Sequence, residues 1–278
     1  MDLTSITVDG VELAVASAGS GDRGRVLLLH GFGGAKEDFS DWLDPLGADG
    51  WRAVAYDQRG HGQSAHPDDE AAFSLQIFKD DLLALVDSLG WDRFVLLGHS
   101  MGGMVAQLVA LAAPARLSGL ILMDTSHGPI DGLDPQLVSL GQRVVREGGM
   151  PALLSAQRAT GAGPLDSPAH LRLVAEREGY QEFCDRKTLA TSPLMWLALS
   201  SQMVGQSDRL SELDRLSMPV LVLVGEQDEA FLGPSRAMSS VIPRAQLAVV
   251  PDAGHSPQFE APEAWSQLVR AFLTEVSG

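Results

Sequence analysis

Ser100 stands in Gly98-His-Ser-Met-Gly102, a setting that could turn its hydroxyl into a nucleophile. The five residues follow an apolar run, Phe94-Val-Leu-Leu97, and precede a helical stretch over 104–113. A serine on a sharp strand-to-helix turn is held in a strained conformation with its hydroxyl exposed. Glycines at 98 and 102 remove side chains that would collide around that turn, and the helix N-terminus offers free N–H groups and a positive field. A serine hydroxyl is too weakly acidic to attack unaided; it needs a base, and the base needs an orienting carboxylate. After such a turn the expected chain order is serine, acid, histidine. The run Val220-Leu-Val-Leu-Val-Gly-Glu-Gln-Asp228 ends a strand on a loop aspartate, and Leu247-Ala-Val-Val-Pro-Asp-Ala-Gly-His255 ends the next on a loop histidine. Asp228 and His255 are therefore the candidate acid and base. Glu226 and Asp124 are rival acids: Glu226 sits nearer its strand end, and Asp124 closes the strand after the serine turn. The commoner role for Asp124 is an N-cap or a hydrogen-bond acceptor at the start of the segment that follows.

The tetrahedral intermediate of acyl transfer also develops an oxyanion that needs two N–H donors. Met101, the residue after the serine, supplies one. The loop Leu29-His-Gly-Phe32-Gly-Gly34 supplies the other from Phe32, its glycines letting backbone approach substrate closely. The chemistry is acyl transfer: Ser100 attacks a carbonyl, His255 carries the proton, Asp228 orients the imidazole, and water frees the acyl group. The base is expected to titrate near the ordinary histidine value of about 6.5. His30 reads as structural because one base suffices, and His99 as packing beside the turn. Tyr56-Asp-Gln-Arg-Gly-His-Gly-Gln-Ser64 reads as an ordered scaffold turn in which Arg59 and Asp57 pair. There is no His-Glu-x-x-His and no Gly-x-x-x-x-Gly-Lys, and no glycine fingerprint joins a strand to a helix in the dinucleotide-binding manner, so no metal or nucleotide cofactor is expected.

Periodicity gives the elements that must position these residues. Apolar runs too short for helices recur at 25–30, 51–56, 94–97, 120–123, 220–224 and 247–250, and suit strands buried on both faces. Two further strands, 6–8 and 11–15, flank an Asp9-Gly10 hairpin signal. Leu75, Phe78, Leu82, Val86 and Leu89 form a helical stripe between Ser74, a natural N-cap, and Gly90, a natural stop. Trp265, Leu268 and Phe272 form another behind Pro262. Strands alternating with helices predict an α/β fold with a mostly parallel central sheet flanked by helices, whose sites lie at the strands' carboxyl ends. The alternation fails over 128–215. Helical patterns there are separated by Gly148-Gly149, Gly161-Ala-Gly-Pro164 and Ser192-Pro193, with Met195, Trp196, Leu199 and Met203 making an apolar stripe. Residues 1–127 and 216–278 read as the α/β core and 128–215 as a helical cap over it, which would select substrates.

The 278 residues suffice for one large domain, burying roughly 73% of the unfolded chain's surface without help from metals or disulfides. Asp and Glu total 36 against 20 Lys and Arg, a net charge of −16, so a phosphate backbone would be repelled and nucleic acid is not an expected partner. The single cysteine, Cys184, excludes an internal disulfide and a thiolate cluster and reads as a small half-buried apolar residue. The N-terminus lacks a basic and apolar signal pattern, and no stretch approaches 18 uninterrupted apolar residues; the expectation is a cytoplasmic chain without a membrane partner.

With these residues assembled, the sequence resembles the α/β-hydrolase fold superfamily. The marks are His30-Gly-Phe-Gly33, Asp57-Gln-Arg-Gly-His-Gly-Gln-Ser64, Gly98-His-Ser-Met-Gly-Gly103, Gly225-Glu-Gln-Asp228 and Gly254-His255, in an order that covers nearly the whole chain. The resemblance is to the cap-bearing serine esterases and enol-lactonases. It implies cleavage of a small uncharged, moderately apolar ester or lactone, with no cofactor and with a homodimer left open. Haloalkane dehalogenases and epoxide hydrolases use an aspartate where this chain has Ser100. Carbon–carbon bond hydrolases share Ser-Met-Gly-Gly but usually carry tryptophan shortly after the histidine, where this chain has Ser256-Pro-Gln-Phe-Glu260. Carbon–carbon bond hydrolases, cofactor-free perhydrolases, and hormone or stress-signal receptors that retain a triad, remain alternatives.

Overall fold

In the computed structural model, which describes residues 1–130, 134–160, 163 and 165–277, every apolar run becomes a strand. Chain order is β1 (Asp2–Val8), β2 (Val11–Ala18), β3 (Gly24–Leu29), α1 (Ser40–Ala48), β4 (Trp51–Tyr56), α2 (Leu75–Ser88), β5 (Phe94–His99), α3 (Met101–Ala112) and β6 (Leu117–Met123). Four helices follow: α4 (Pro135–Thr160), α5 (Pro168–Glu176), α6 (Tyr180–Leu189) and α7 (Pro193–Gly205). The chain ends with β7 (Val220–Gly225), α8 (Glu229–Val241), β8 (Ala245–Val250), α9 (Pro257–Glu260) and α10 (Pro262–Val276). The sheet has eight strands in the order β1-β2-β4-β3-β5-β6-β7-β8. β1 and β2 run antiparallel to their neighbours, and every other pairing, from β4 to β8, is parallel.

Successive strand side chains point to opposite faces, and both faces of the central strands are covered. The edge strands β1 and β8 are largely exposed, Leu247 and Val249 included, so the run 247–250 is not buried on both faces as expected, because β8 has a neighbour on one side only. In the central strands the two faces have different partners. Leu27, Leu96, Leu120 and Val222 pack with Phe78 and Leu82 of α2 and Met104 and Val105 of α3. Their chain neighbours Leu28, Val95, Ile121 and Leu223 pack on the other face with Leu43 of α1 and Trp265 and Val269 of α10. That two-sided burial is why these strands are continuous apolar runs. Ser74 caps α2, its Oγ accepting from the Ile77 N–H at 3.1 Å. α3 begins at Met101, three residues before the predicted start, because its first turn follows directly on Ser100. α4 is broken at Gly149, whose φ of 66° is left-handed, so the Gly148-Gly149 signal marks a kink rather than a loop. The predicted break at Gly161-Ala-Gly-Pro164 falls on residues outside those described, Gly163 excepted.

Between β6 and β7 the described residues form no strand. α7 lays Met195, Leu199 and Met203 into the main core, while Trp196 is only partly buried. An ion pair ties this segment to the loop after β3: Lys187 of α6 donates from Nζ to Asp38 Oδ1 at 2.5 Å.

Candidate active site

Ser100 leaves β5 with φ 54° and ψ −120°, a left-handed φ that costs a non-glycine residue on the order of 1–3 kcal/mol. Four bonds hold it there. Its N–H donates to the Met123 carbonyl at 2.9 Å, and its carbonyl accepts from the Gly103 N–H at 2.9 Å, the Met104 N–H at 3.2 Å and Thr125 Oγ1 at 2.7 Å. α3 presses so closely on the end of β3 that a Cβ on Gly102 would lie 2.5 Å from the His30 carbonyl oxygen. The loop after β3 passes over the serine: a Cβ on Gly31 would sit 2.9 Å from Ser100 Cβ. Neither the Phe32 nor the Met101 N–H donates to a protein acceptor among the described residues. They are free donors on the two segments that meet at Ser100.

His255 follows β8 and lies against His99, the residue before Ser100, with ring centroids 4.9 Å apart. Its Nδ1–H donates to Asp228 Oδ2 at 2.8 Å, which leaves Nε2 with its lone pair. Phe231 stacks on the His255 ring with centroids 4.9 Å apart. Asp228 follows β7 at the start of α8 and is buried. Glu226, the nearer rival, instead accepts from the Asp252 N–H at 3.1 Å and is exposed. The structure thus brings Asp228, His255, Ser100 and both free N–H groups to one edge of the sheet. A surface groove of about 710 Å³ lies elsewhere, between α2, α3 and α7, and touches none of them.

Glu260, to which sequence reasoning gave no role, and the His99 and 56–64 residues read as packing and scaffold hold these groups in place. Glu260 Oε2 accepts from the N–H of Gly254 at 2.5 Å and of Ser256 at 3.3 Å, gripping the backbone on both sides of His255. Burial raises the Glu260 carboxyl above its ordinary value, against the lowering effect of those two N–H groups. His99 donates from Nε2 to the His255 carbonyl at 2.6 Å; burial and the neighbouring His255 push its pKa down to about 3, so it is a neutral donor. The loop at Phe32 is braced similarly. His61 Nε2 accepts from the Gly33 N–H at 3.2 Å, and Gln58 donates from Nε2 to the His30 carbonyl at 2.8 Å. Arg59 does not pair with Asp57 as expected. Arg59 reaches across to Asp81 of α2 at 2.5 Å, and Asp57 takes Lys36 Nζ at 2.9 Å, because the two residues of one turn point to different elements. Nothing in the spacing of the turn distinguishes these partners.

Asp124 is fully buried and does not cap a helix. Its Oδ1 accepts from the Gly225 N–H at 2.8 Å. An oxygen of Asp124, an oxygen of Asp228 and a ring nitrogen of His255 lie within 4.8 Å of one another, a set that could ligate a cation. The 2.8 Å hydrogen bond between His255 and Asp228 already occupies two of those groups with each other.

Residues 24–262 match the family model for the alpha/beta hydrolase fold. A Bacillus subtilis (strain 168) protein provisionally named 2-succinyl-6-hydroxy-2,4-cyclohexadiene-1-carboxylate synthase is 29% identical over 99% of this chain and 100% of its own length. The 3-oxoadipate enol-lactonase 2 of Acinetobacter baylyi is 26% identical over 97% of this chain and 96% of its own. Among solved structures, a thermophilic esterase from Thermogutta terrifontis superposes with a TM-score of 0.83 at 31% identity over the whole of both chains. The chain belongs to the α/β-hydrolase fold family, and these relatives support hydrolase activity as its broad class.

Proposed function

We infer that this chain is a serine hydrolase that cleaves a carboxylic ester or lactone through an acyl-enzyme, with Ser100, His255 and Asp228 as its triad. The observation that carries the reading is the 2.8 Å bond from His255 Nδ1–H to Asp228, on a ring packed against the strand end that presents Ser100. That bond fixes the tautomer in which Nε2 is the base. Ser100 Oγ attacks the substrate carbonyl as Nε2 takes its proton. The Phe32 and Met101 N–H groups receive the oxyanion, and His255 returns the proton to the leaving oxygen. Water, deprotonated by the same histidine, then hydrolyses the acyl-serine. The enol-lactonase and the esterase to which the chain is similar act, by their names, on this bond class.

The helices of residues 128–215 form the cap of this reading, and Trp196 is its contact with the site: its ring lies 5.8 Å from that of Phe32. An apolar wall beside the oxyanion loop favours uncharged acyl groups of moderate size. The net charge of −16 disfavours anionic esters further. The test is a panel of p-nitrophenyl acyl esters of rising chain length, aliphatic lactones, a vinylogous diketone and a cyclohexadiene carboxylate. Multiple turnovers on esters or lactones, best at intermediate chain length, are the expected result. A single stalled turnover would mark a ligand-sensing protein, and activity on the diketone or the carboxylate alone would overturn the ester reading.

A further inference from the structure

A second carboxyl group sits behind His255, and the reaction scheme gives it no role. Asp124 directly follows β6 with a left-handed φ of 46°. Its N–H continues the sheet ladder to the Leu223 carbonyl at 2.9 Å, and its Oδ1 accepts from the Gly225 N–H. Its Oδ2 is buried and receives no N–H or O–H from any described residue. A carboxylate oxygen of Asp124 lies within 4.8 Å of an Asp228 oxygen and a His255 ring nitrogen. Neither aspartate has a lysine or arginine ion pair among the described residues. Two buried carboxylates this close do not both ionise; one keeps a proton and donates it to the other. Each accepts one N–H, Asp228 from the His255 ring that gains charge in turnover and Asp124 from the neutral Gly225 backbone, so the proton belongs to Asp124.

Resting on the triad assigned above, we propose that Asp124 is a positioning residue: a neutral carboxyl group whose O–H donates to the Asp228 carboxylate and holds the acid that orients His255. Burial first, and then the charge of Asp228, keep the Asp124 carboxyl well above the ordinary carboxylate range, with the Gly225 N–H opposing and Glu260 adding to the rise. The arrangement gives Asp228 a donor from each side, which fixes its plane against the imidazole. It also explains the orphaned oxygen: Oδ2 is a donor, not an acceptor lacking a partner.

Asparagine is the mimic of a protonated aspartate, since its amide N–H can donate to Asp228 while its carbonyl accepts from Gly225. Asp124→Asn should therefore keep kcat within about threefold of wild type, with an unchanged kcat/KM profile between about pH 5 and 8. The groups facing Asp124 in that range are Asp228, His255 and Glu260, so a profile that does not move means no charge was removed among them. Asp124→Ala unpairs the Gly225 N–H and Asp228 together and should lower kcat on the order of 10–100-fold with little change in KM. Should the alanine variant not fold, the asparagine variant still decides. Infrared difference spectra against wild type should then show loss of one protonated-carboxyl band. Asp228→Asn, measured alongside, separates the two levels of the argument. If it leaves turnover within tenfold of wild type, the triad assignment fails. If it abolishes turnover and Asp124→Asn does so equally, Asp124 is an ionised acid and the neutral pair is wrong. Loss of activity on chelation, restored by a divalent cation, would also overturn the pair.

Discussion

At Ser100 the backbone φ of 54° has a cost that a glycine would not bear. Ser100→Gly should therefore raise the unfolding midpoint by a few degrees, equivalent to about 1 kcal/mol, while removing ester turnover. Ser100→Ala should remove turnover without that gain. A lower midpoint in the glycine variant would mean that the turn stores no strain. Asp228→Asn should lower kcat by on the order of 10⁴-fold, by analogy with other triads, and leave the midpoint nearly unchanged. Ser100, Asp228 and His255 could be read as candidates because each stands at or a few residues beyond the carboxyl end of a strand, and strand ends are set by local hydrophobic runs. Asp57, Arg59 and Glu260 were not. Their partners Lys36, Asp81 and the backbone around His255 are chosen by how elements pack, which the spacing of a turn does not encode.

At the scale of elements, the apolar stripe on α7 divides between two tasks that its sequence periodicity merged. Met203 is 7% exposed in the main core, whereas Trp196 reaches the ring of Phe32. Met203→Ala should therefore cost about 2–5 kcal/mol of stability and scale all substrates alike. Trp196→Ala should leave acetate-ester turnover nearly intact and shift the preferred acyl chain, by about 1–3 kcal/mol of discrimination at most. Steady-state kinetics on a chain-length series, with thermal unfolding, tell the two apart; a uniform loss in the Trp196 variant would remove it from the acyl site. Segment 128–215 could be recognised as helical from its helical patterns and lack of strand-like runs, and Gly148-Gly149 marked where α4 breaks, but its tie through Lys187 to Asp38 depends on tertiary contacts.

Across the whole molecule, the fold was legible because central strands buried on both faces write themselves as uninterrupted apolar runs. The charge state of the interior was not, since burial sets it. His30, His61 and His99 all have lowered pKa values, burial being the largest cause in each. Their folded values lie below the unfolded value of about 6.5, so unfolding takes up protons below that pH. The stability they contribute is present above about pH 6.5 and is lost as pH falls, for His99 down to about 3. Asp124 and Glu260, raised instead, work in the opposite sense: their contribution fades as pH rises through the raised values. The midpoint of thermal unfolding should accordingly fall from pH about 7 to about 5, and less steeply in His99→Gln. An equal slope in that variant would show that His99 does not supply the linkage.

The proposed reaction turns on one covalent event at Ser100. A fluorophosphonate applied to the folded protein, followed by peptide mass spectrometry, tests it directly. The expected result is one adduct, on the peptide carrying Ser100, formed in step with loss of ester turnover and absent from Ser100→Ala. An adduct that maps to another residue, or one that persists in Ser100→Ala together with turnover, would contradict the assignment.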